Sequence, residues 1–244
     1  MSRSALFALL LLYACDDKEP VKTAPSATVS AAPTPTPSTP PTPRAPIVTI
    51  EDSAAMVGDA RVDFAGPDVN GQIKAAVSSK KIEGETINVI ASKDAKASKV
   101  AQVTNAIAAA KPKAIVVKTP KRDKSTGEIN VALAAKREGC AAVGYIAKDS
   151  VISVWPASGA KAVTFSHGMA GPDMTRGSEG VRQAMSKCDA PYWFASADPE
   201  VKWGLVADLV FAVESPEDGG APPKAHDVSI LIKATPGRKI DDEP

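Results

Sequence analysis

The chain contains few of the residues that bind metals or read nucleic acids. Only 5% of its 244 residues are aromatic, and there are 2 histidines and 3 cysteines. The histidines, His167 and His226, have no second histidine one helical turn away and no neighbouring cysteine pair, so neither has metal-ligand spacing. We interpret both as surface or hydrogen-bonded residues, and we predict neither a metal nor a cofactor.

An excess of one charge is missing as well. The 29 basic and 28 acidic side chains are interspersed and leave a formal net charge of +1. No basic stripe with interleaved aromatic residues is present, which excludes the usual nucleic-acid-binding surfaces. No apolar run reaches the length of a membrane-spanning helix, since the apolar segment 5–14 is too short.

The motifs of common enzymes are absent too. There is no Gly-x-Ser-x-Gly elbow and no phosphate-binding loop. A glycine cluster over residues 168–180 lacks the Lys-Ser/Thr ending of such a loop, and we interpret it as a flexible turn and weak helix start. Glu214, Glu217 and Asp218 are expected to form a solvated loop. Because no nucleophile with a base is apparent, the chain is predicted not to be an enzyme.

The first residues resemble a bacterial lipoprotein signal. Arg3 supplies a basic start, an apolar run follows, and Leu12-Tyr13-Ala14 precedes Cys15. This pattern predicts a signal peptide over residues 1–14 and Cys15 as the lipidated first residue of the mature protein. The alternative is an ordinary signal peptide followed by an incidental cysteine. Asp16-Asp17 resembles an inner-membrane retention signal, so the inner membrane is expected in preference to the outer.

A lipid anchor of this kind would hold the folded part on the periplasmic face of the membrane. Stable anchoring by lipid alone requires more than one acyl group, such as palmitate. Residues 15–46 are rich in Pro, Thr, Ser and Ala and are predicted to be a disordered linker, with polyproline II over 32–46. At ~3.1 Å per residue, a linker of ~30 residues reaches roughly 90 Å. It is either a stalk of that reach or a linker without a length requirement.

Two further cysteines belong to the folded part. In an oxidising compartment Cys140 and Cys188 can form a disulfide, whose long loop would stabilise the fold by about 4 kcal/mol in the chain-entropy model. The alternative is two unpaired buried thiols.

The remainder of the chain carries a repeated α/β pattern. Over residues 47–122 apolar periodicity predicts strands at 47–51, 60–65, 86–91 and 114–119 and helices at 69–79 and 97–110. Over residues 141–244 it predicts strands at 141–147, 151–156, 161–166, 192–197 and 228–235 and helices at 178–187 and after Asp198-Pro199-Glu200. Residues 123–140 are expected to connect the two repeats.

Local identities indicate a duplication with a period of about 100 residues. Gly66-Pro67-Asp68 recurs as Gly171-Pro172-Asp173, and Thr119-Pro120-Lys121-Arg122 recurs as Thr235-Pro236-Gly237-Arg238. Asp94 and Asp198 each follow a strand, and we interpret both as helix-capping residues. A period of this length indicates domain duplication and not a solenoid.

The three tryptophans all fall in the second repeat. Aromatic residues are enriched in binding sites, so Trp155, Trp193 and Trp203 are candidates for a binding surface. The alternative is that all three belong to the core or to a sheet face.

The segment TINVIASKDAKASKVAQVTNAIAAAKPKAIVVKT at 86–119 resembles the periplasmic domain of ExbD/TolR proteins. It has an apolar strand ending near an Asp, a helix with Val-x-x-Val and a Val-rich strand ending in Thr. The resemblance covers residues 47–122 and extends more loosely over 141–238. It implies an α/β (α+β) fold of two small tandem domains, each a mixed sheet packed with two helices. Because closed two-fold assembly is common, the two repeats are expected to form an intramolecular pseudo-dimer.

The resemblance also implies a role in envelope energy transduction or biopolymer transport. ExbD engages the energy-transducing protein TonB, and TolR is linked to peptidoglycan. Both carry a transmembrane helix with an acidic residue for proton flow, for which no segment here is long enough. We therefore expect a non-enzymatic, lipid-anchored interaction module with TonB-like or ExbB-like partners, without assigning individual binding residues. The alternative is a peptidoglycan-binding envelope lipoprotein.

Overall fold

The computed structural model of the protein describes residues 47–133, 135, 139–168, 171–215 and 226–240. All of them belong to one compact unit, Pro43–Pro244. The predicted signal peptide at 1–14, the lipidated Cys15 and the linker at 15–46 lie outside the described residues. Membrane attachment therefore stays a prediction from the sequence.

Eleven strands and four helices are present in the described ranges. The strands are β1 (Val48–Ile50), β2 (Ala54–Val57), β3 (Ala60–Asp63), β4 (Thr86–Ala91), β5 (Ala114–Pro120), β6 (Thr126–Val131), β7 (Ala142–Ile146), β8 (Ile152–Pro156), β9 (Val163–Phe165), β10 (Tyr192–Ala197) and β11 (Asp227–Ile230). The helices are α1 (Val69–Ser78), α2 (Ala97–Ala109), α3 (Met174–Met185) and α4 (Trp203–Glu214).

All strands belong to one mixed sheet with the order β3-β2-β1-β4-β5-β6-β11-β10-β7-β8-β9. The predicted mixed α/β class is confirmed. In the first half, residues 47–122, β1 pairs antiparallel with β2 and parallel with β4, while β2 pairs antiparallel with β3 and β4 parallel with β5. The second half, residues 141–240, has the same pairings with β7 to β11 in the corresponding places. Between the halves, β6 pairs antiparallel with β5 and parallel with β11.

The four helices share a core with one face of this sheet. Along the layer α1 contacts α2, α2 contacts α4, and α4 contacts α3. Strand residues that face the helices alternate with residues on the opposite face, as in β5, where Ile115, Val117 and Thr119 are buried. The buried side chains of both halves form one continuous cluster, which holds the halves together by burial of apolar surface.

The repeated Gly-Pro-Asp segment begins a helix in both halves. The Asp68 carboxylate accepts a hydrogen bond from the Gly71 amide at 3.1 Å at the start of α1. The Asp173 carboxylate accepts from the Arg176 amide at 3.1 Å at the start of α3. Helix α3 therefore begins at Met174, earlier than the predicted residue 178, because the cap and not the glycine at 180 sets its start.

The prediction that Asp94 and Asp198 cap α2 and α4 is wrong. The N-cap residues are Lys96 and Lys202, neither of which makes a side-chain capping bond. The first helical amides, which lack partners within a helix, donate instead to the other half of the chain. Ala97 N–H donates to the Val201 carbonyl at 2.9 Å, and Trp203 N–H donates to the Ala95 carbonyl at 2.6 Å.

Asp198 has a different role from the predicted cap. Its carboxylate accepts a hydrogen bond from the Lys148 amide at 2.8 Å, so it joins the end of β10 to the turn after β7. The pKa of Tyr145 is raised to about 12, chiefly by burial and further by the Asp198 carboxylate. Helix α4 begins at Trp203, after the turn at Pro199 and Glu200.

Two of the observed strands, β2 and β6, were not predicted from the sequence. Residues 123–140, predicted as a connector, contain β6, and its side chains alternate between exposed and buried from Thr126 to Val131. The short β2 lies in a segment for which the apolar pattern predicts no element. Conversely, β11 ends at Ile230, whereas the predicted strand continued to residue 235.

Candidate functional site

A cavity of about 410 Å3 lies where α3 and α4 end beside β10. Its walls come from sequence-distant segments: Arg182 and Ser186 near the end of α3, Trp193 on β10, Glu214 at the end of α4, and His226 before β11. Its volume falls within the range of small-molecule sites. Because two helix ends and two strands meet here, the cavity is the best candidate functional site in the described part of the chain.

Arg182 ties the two helices together at one wall. Its Nη1 donates to the carbonyl oxygens of Ala212 at 2.7 Å and Val213 at 3.5 Å. The last carbonyls of a helix have no partner within the helix, so a guanidinium group stabilises the end of α4 both by hydrogen bonding and through the helix dipole. The guanidinium group of Arg182 is therefore fixed in position at this wall of the cavity.

Trp193 supplies a buried donor. Its side chain is fully buried, and its indole Nε1 has no hydrogen-bond partner in the described part of the chain. The Cζ3 edge of the indole lies 3.0 Å from where a Cβ on Gly144 would stand, so Gly144 makes room for the ring. A buried N–H without an acceptor costs about 1–3 kcal/mol.

Glu214 contributes a half-buried carboxyl group. Burial raises its pKa, and the nearby Asp227 carboxylate raises it further, while Lys121 acts in the opposite direction. The prediction that Glu214 belongs to a solvated acidic loop is wrong, because it is the last residue of α4. Glu217 and Asp218 lie outside the described residues.

Cys188 also lines the cavity and is joined by a disulfide to Cys140, with 5.5 Å between the Cα atoms. The bond links the residue just after α3 to the segment before β7, across 48 residues of sequence. It therefore fixes the end of α3 against the sheet beside the cavity.

The tryptophans belong to the core. Trp155, Trp193 and Trp203 are each at most 1% exposed, so none presents a binding surface to solvent. Trp155 Nε1 donates to the Arg238 carbonyl at 2.8 Å, whereas Trp203 lies at the start of α4 near the other half. Only Trp193 lines the cavity among the three. Of the two histidines, His226 lines the cavity and His167 is exposed.

A second arrangement joins the two halves at the starts of α2 and α4. Residues 95–97 and 201–203 run antiparallel, with Lys96 opposite Lys202. Lys96 Nζ lies 3.0 Å from the Glu200 carboxylate, and Lys202 Nζ lies 2.7 Å from the Asp94 carboxylate. The hydrogen bond and charge of Lys202 lower the pKa of Asp94. The two ion pairs are reciprocal, as expected across a local two-fold axis.

The face of the sheet away from the helices, here called the back face, differs between the halves. In the second half it is covered by a separate cluster that includes Trp155, Phe194, Leu231 and Ile240. In the first half it carries Ile90, which is 45% exposed, and Lys118, whose Nζ lies 3.1 Å from the Glu128 carboxylate on the neighbouring β6. Ile90 and Lys118 are direct partners in the β4–β5 ladder, so they form one open row.

Sequence reasoning missed Arg182 and Ser186 as cavity residues because no local motif marks them. In the described ranges, no group of three His, Cys, Asp or Glu residues could hold a metal ion. The same ranges contain no helix long and apolar enough to cross a membrane. No family model, curated protein or solved structure matches this chain.

Proposed function

We propose that the protein is a lipid-anchored periplasmic module that binds other envelope proteins and has no catalytic activity. Its two halves would be tandem ExbD/TolR-like domains, and its partners TonB-like or ExbB-like proteins of an energy-transduction or transport system. The observation that carries the proposal is the recurrence of one set of strand pairings in both halves, each with two helices on one face. This arrangement agrees with the architecture implied by the sequence resemblance.

The junction between the halves supports an intramolecular pseudo-dimer. Each half supplies backbone carbonyls to the first helical amides of the other half. The ion pairs follow the same pattern, since Lys96 of the first half pairs with Glu200 of the second, and Lys202 of the second half pairs with Asp94 of the first. Duplication would thus replace the homodimer of a single-domain protein by a covalent pair. Such a pair does not depend on protein concentration for its assembly.

The open back face of the first half is the proposed docking surface for the partner protein. It combines an exposed apolar side chain, Ile90, with the charged pair Lys118 and Glu128 in adjacent strands. Mixed apolar and polar surfaces of this kind are typical of non-obligate interfaces. The equivalent face of the second half is covered, so only the back face of the first half is open for a partner protein.

Crosslinking in intact cells tests this assignment. A photo-crosslinking residue at Ile90 is expected to capture an envelope protein, whereas the same residue at Lys233, exposed in the second half, is the matched control. Capture of a TonB-like or ExbB-like protein from Ile90 alone would support the proposal. Equal capture from both positions, or none, would reject the back face as the docking surface.

The anchor is tested separately. Cells fed an alkyne analogue of palmitate should label the protein, and Cys15→Ser should abolish the label and release the protein from membranes. Retained label in the Cys15→Ser variant would contradict lipidation at Cys15.

The alternative, a peptidoglycan-binding lipoprotein, makes a different prediction. Purified sacculi would retain the protein from a lysate in a manner competed by soluble muropeptides. Retention by sacculi, without capture of any protein from Ile90, would favour peptidoglycan binding over protein binding as the function.

A further inference from the structure

We propose that the outer edge of β9, together with the groove between this strand and α3, binds an extended acidic segment of a partner protein as an additional strand. This inference goes beyond the proposed function, because the edge lies in the second half and is separate from the back face of the first half. It therefore does not depend on capture at Ile90. The charge of the sheet edges, the apolar groove beside β9 and two lysines without ion-pair partners support it.

The two edges of the sheet differ in charge. In the part of the chain that the structure describes, β3 and β9 are the outermost strands. The exposed residues of β3, Arg61 and Asp63, are charged and form an ion pair at 3.9 Å. The strand β9 consists of Val163, Thr164 and Phe165 and carries no charge. Because charged side chains discourage the pairing of an edge with another chain, β3 is protected, whereas β9 is open to a further strand.

An apolar groove of about 250 Å3 lies beside β9. Val163 and Phe165 line it together with Gly180 and Ala184 of α3. The Phe165 ring packs against the helix at Gly180, where a Cβ would lie 2.6 Å from the ring, so the groove is already formed. Val163 is 59% exposed and is therefore accessible to a partner.

The size of the groove indicates which part of a partner it accepts. Small-molecule sites usually have volumes of roughly 300–1,000 Å3, so this groove suits one or two side chains of a longer ligand. Every second residue of an added strand lies on the same face of the sheet. A partner segment with apolar side chains at alternate positions would therefore place them in the groove.

Two lysines select the charge of the partner. Lys161 and Lys187 line the groove, and both are exposed. Neither forms an ion pair with another described residue, and the described residues that line the groove include no acid. A segment with carboxylates beside its apolar residues would complement this surface. The strand β9 of a second copy cannot supply them, since residues 157–168 contain no acidic side chain.

The backbone of the edge strand favours a peptide over a fatty acid. A fatty acid has a carboxylate and an apolar chain, but it cannot pair with the backbone N–H and C=O groups at the edge of a sheet. An added strand extends the ladder of backbone hydrogen bonds, which provides affinity, while the side-chain groove provides specificity. We therefore assign the site to an extended polypeptide.

A titration followed by nuclear magnetic resonance tests the inference on the chain from residue 15 onward, carrying Cys15→Ser. The probe is the blocked peptide acetyl-Glu-Thr-Val-Thr-Val-Thr-Glu-amide, whose acids at both ends allow either strand direction. The backbone amide signals of β9 are expected to shift, while those of β3 stay in place. Added salt should weaken the binding, because ion pairs at exposed lysines are screened.

Control probes identify the contacts responsible. Replacing both Glu of the peptide by Lys should abolish the shifts, and N-methylation of its three central residues, which removes backbone donors, should do the same. Equal shifts with either control, or no shift of β9 up to millimolar concentration, would overturn the inference. Decanoate that reproduces the shifts would assign the groove to an anionic lipid instead. Shifts of β3 and β9 with protein concentration alone would assign the edge to a second copy.

Lys161→Gln combined with Lys187→Gln tests the charges. This double variant should bind the acidic peptide about fivefold more weakly, the effect expected for two exposed ion pairs. Lys74→Gln combined with Lys113→Gln is the matched control, because it removes the same charge from exposed positions in the first half. Equal losses in the two variants would refute recognition at the groove.

Val163→Asp tests the apolar contact. Since this side chain is 59% exposed, the variant should fold, and the added carboxylate at the groove should abolish binding of the acidic peptide. Val163→Ile, which keeps a β-branched apolar side chain, should retain the binding. Undiminished binding by Val163→Asp would exclude the edge of β9 as the docking surface.

Discussion

The two halves of the sheet share their strand pairings but differ on the back face. In the first half this face is open, with Ile90 45% exposed. In the second half Trp155 and Phe194 are buried in a cluster with Leu231 and Ile240, which belong to the segment that follows β11. The same topology therefore supports either a solvated or a covered back face. The chain after β11 packs against Trp155 on this face, whereas the chain after β5 continues the sheet as β6.

The covered face should be far more sensitive to truncation than the open one. Trp155→Ala removes a fully buried ring and its hydrogen bond to the Arg238 carbonyl, so we expect a loss of about 5 kcal/mol in the free energy of unfolding. Ile90→Ala at the open face should cost less than about 1 kcal/mol. Urea unfolding measures both. Similar losses would remove the distinction between the two faces.

The disulfide joins Cys140, directly before the second half, to Cys188 within it, whereas residues 47–122 contain no cysteine. Replacing Cys140 and Cys188 together by Ser should lower the free energy of unfolding by about 4 kcal/mol in the chain-entropy model, because the bond closes a loop across 48 residues of sequence. Hydrogen exchange should accelerate in α3 and β7 before it accelerates in α2 and β4. A uniform acceleration over both halves would contradict a local role.

Glu214 should make the second half sensitive to pH. Because burial raises its pKa above the unfolded value, the native state binds this proton more tightly than the unfolded chain. Its contribution to stability is full below the unfolded pKa of about 4.3 and is lost as pH rises through the folded pKa. The free energy of unfolding of Glu214→Gln should therefore increase relative to that of the wild type as the pH rises from acid to neutral. An unchanged difference across that interval, measured by urea unfolding, would exclude the effect.

The junction should give the smallest effect, because its ion pairs are exposed. Lys202→Gln should raise the pKa of Asp94 towards its usual range, since Lys202 is the cause of its lowering. Lys96→Gln is the control, because Lys96 pairs with Glu200. Carbon-detected titration of the Asp94 carboxyl group measures both, and an equal shift in the two variants would contradict the pairing.

Local periodicity predicted the elements whose character is set by their own residues. The strands at 86–91 and 192–197 match β4 and β10 residue for residue, since each alternates or continues apolar side chains over a buried length. The repeated Gly-Pro-Asp segment is visible in the sequence, but the start of the second helix was predicted at residue 178, so the cap that Asp173 provides to α3 was not recognised.

Long-range contacts explain what the sequence could not show. The start of α4 is set by backbone carbonyls in the other half, more than 100 residues away, and so an Asp-Pro-Glu signal at 198–200 was misleading. The cavity is assembled from the ends of α3 and α4, β10 and the residue before β11, with no common motif. The strand β6 was missed although its alternation was visible in T-G-E-I-N-V.

The position of β6 has a consequence for biosynthesis. This strand follows β5 through a short turn, yet its other edge pairs with β11, the last strand in the described part of the chain. During vectorial synthesis that edge has no partner until nearly 100 further residues have emerged. Unpaired edges are templates for pairing with other chains, so nascent molecules are most exposed to aggregation in this interval. A chaperone that covers β6 would be most needed then.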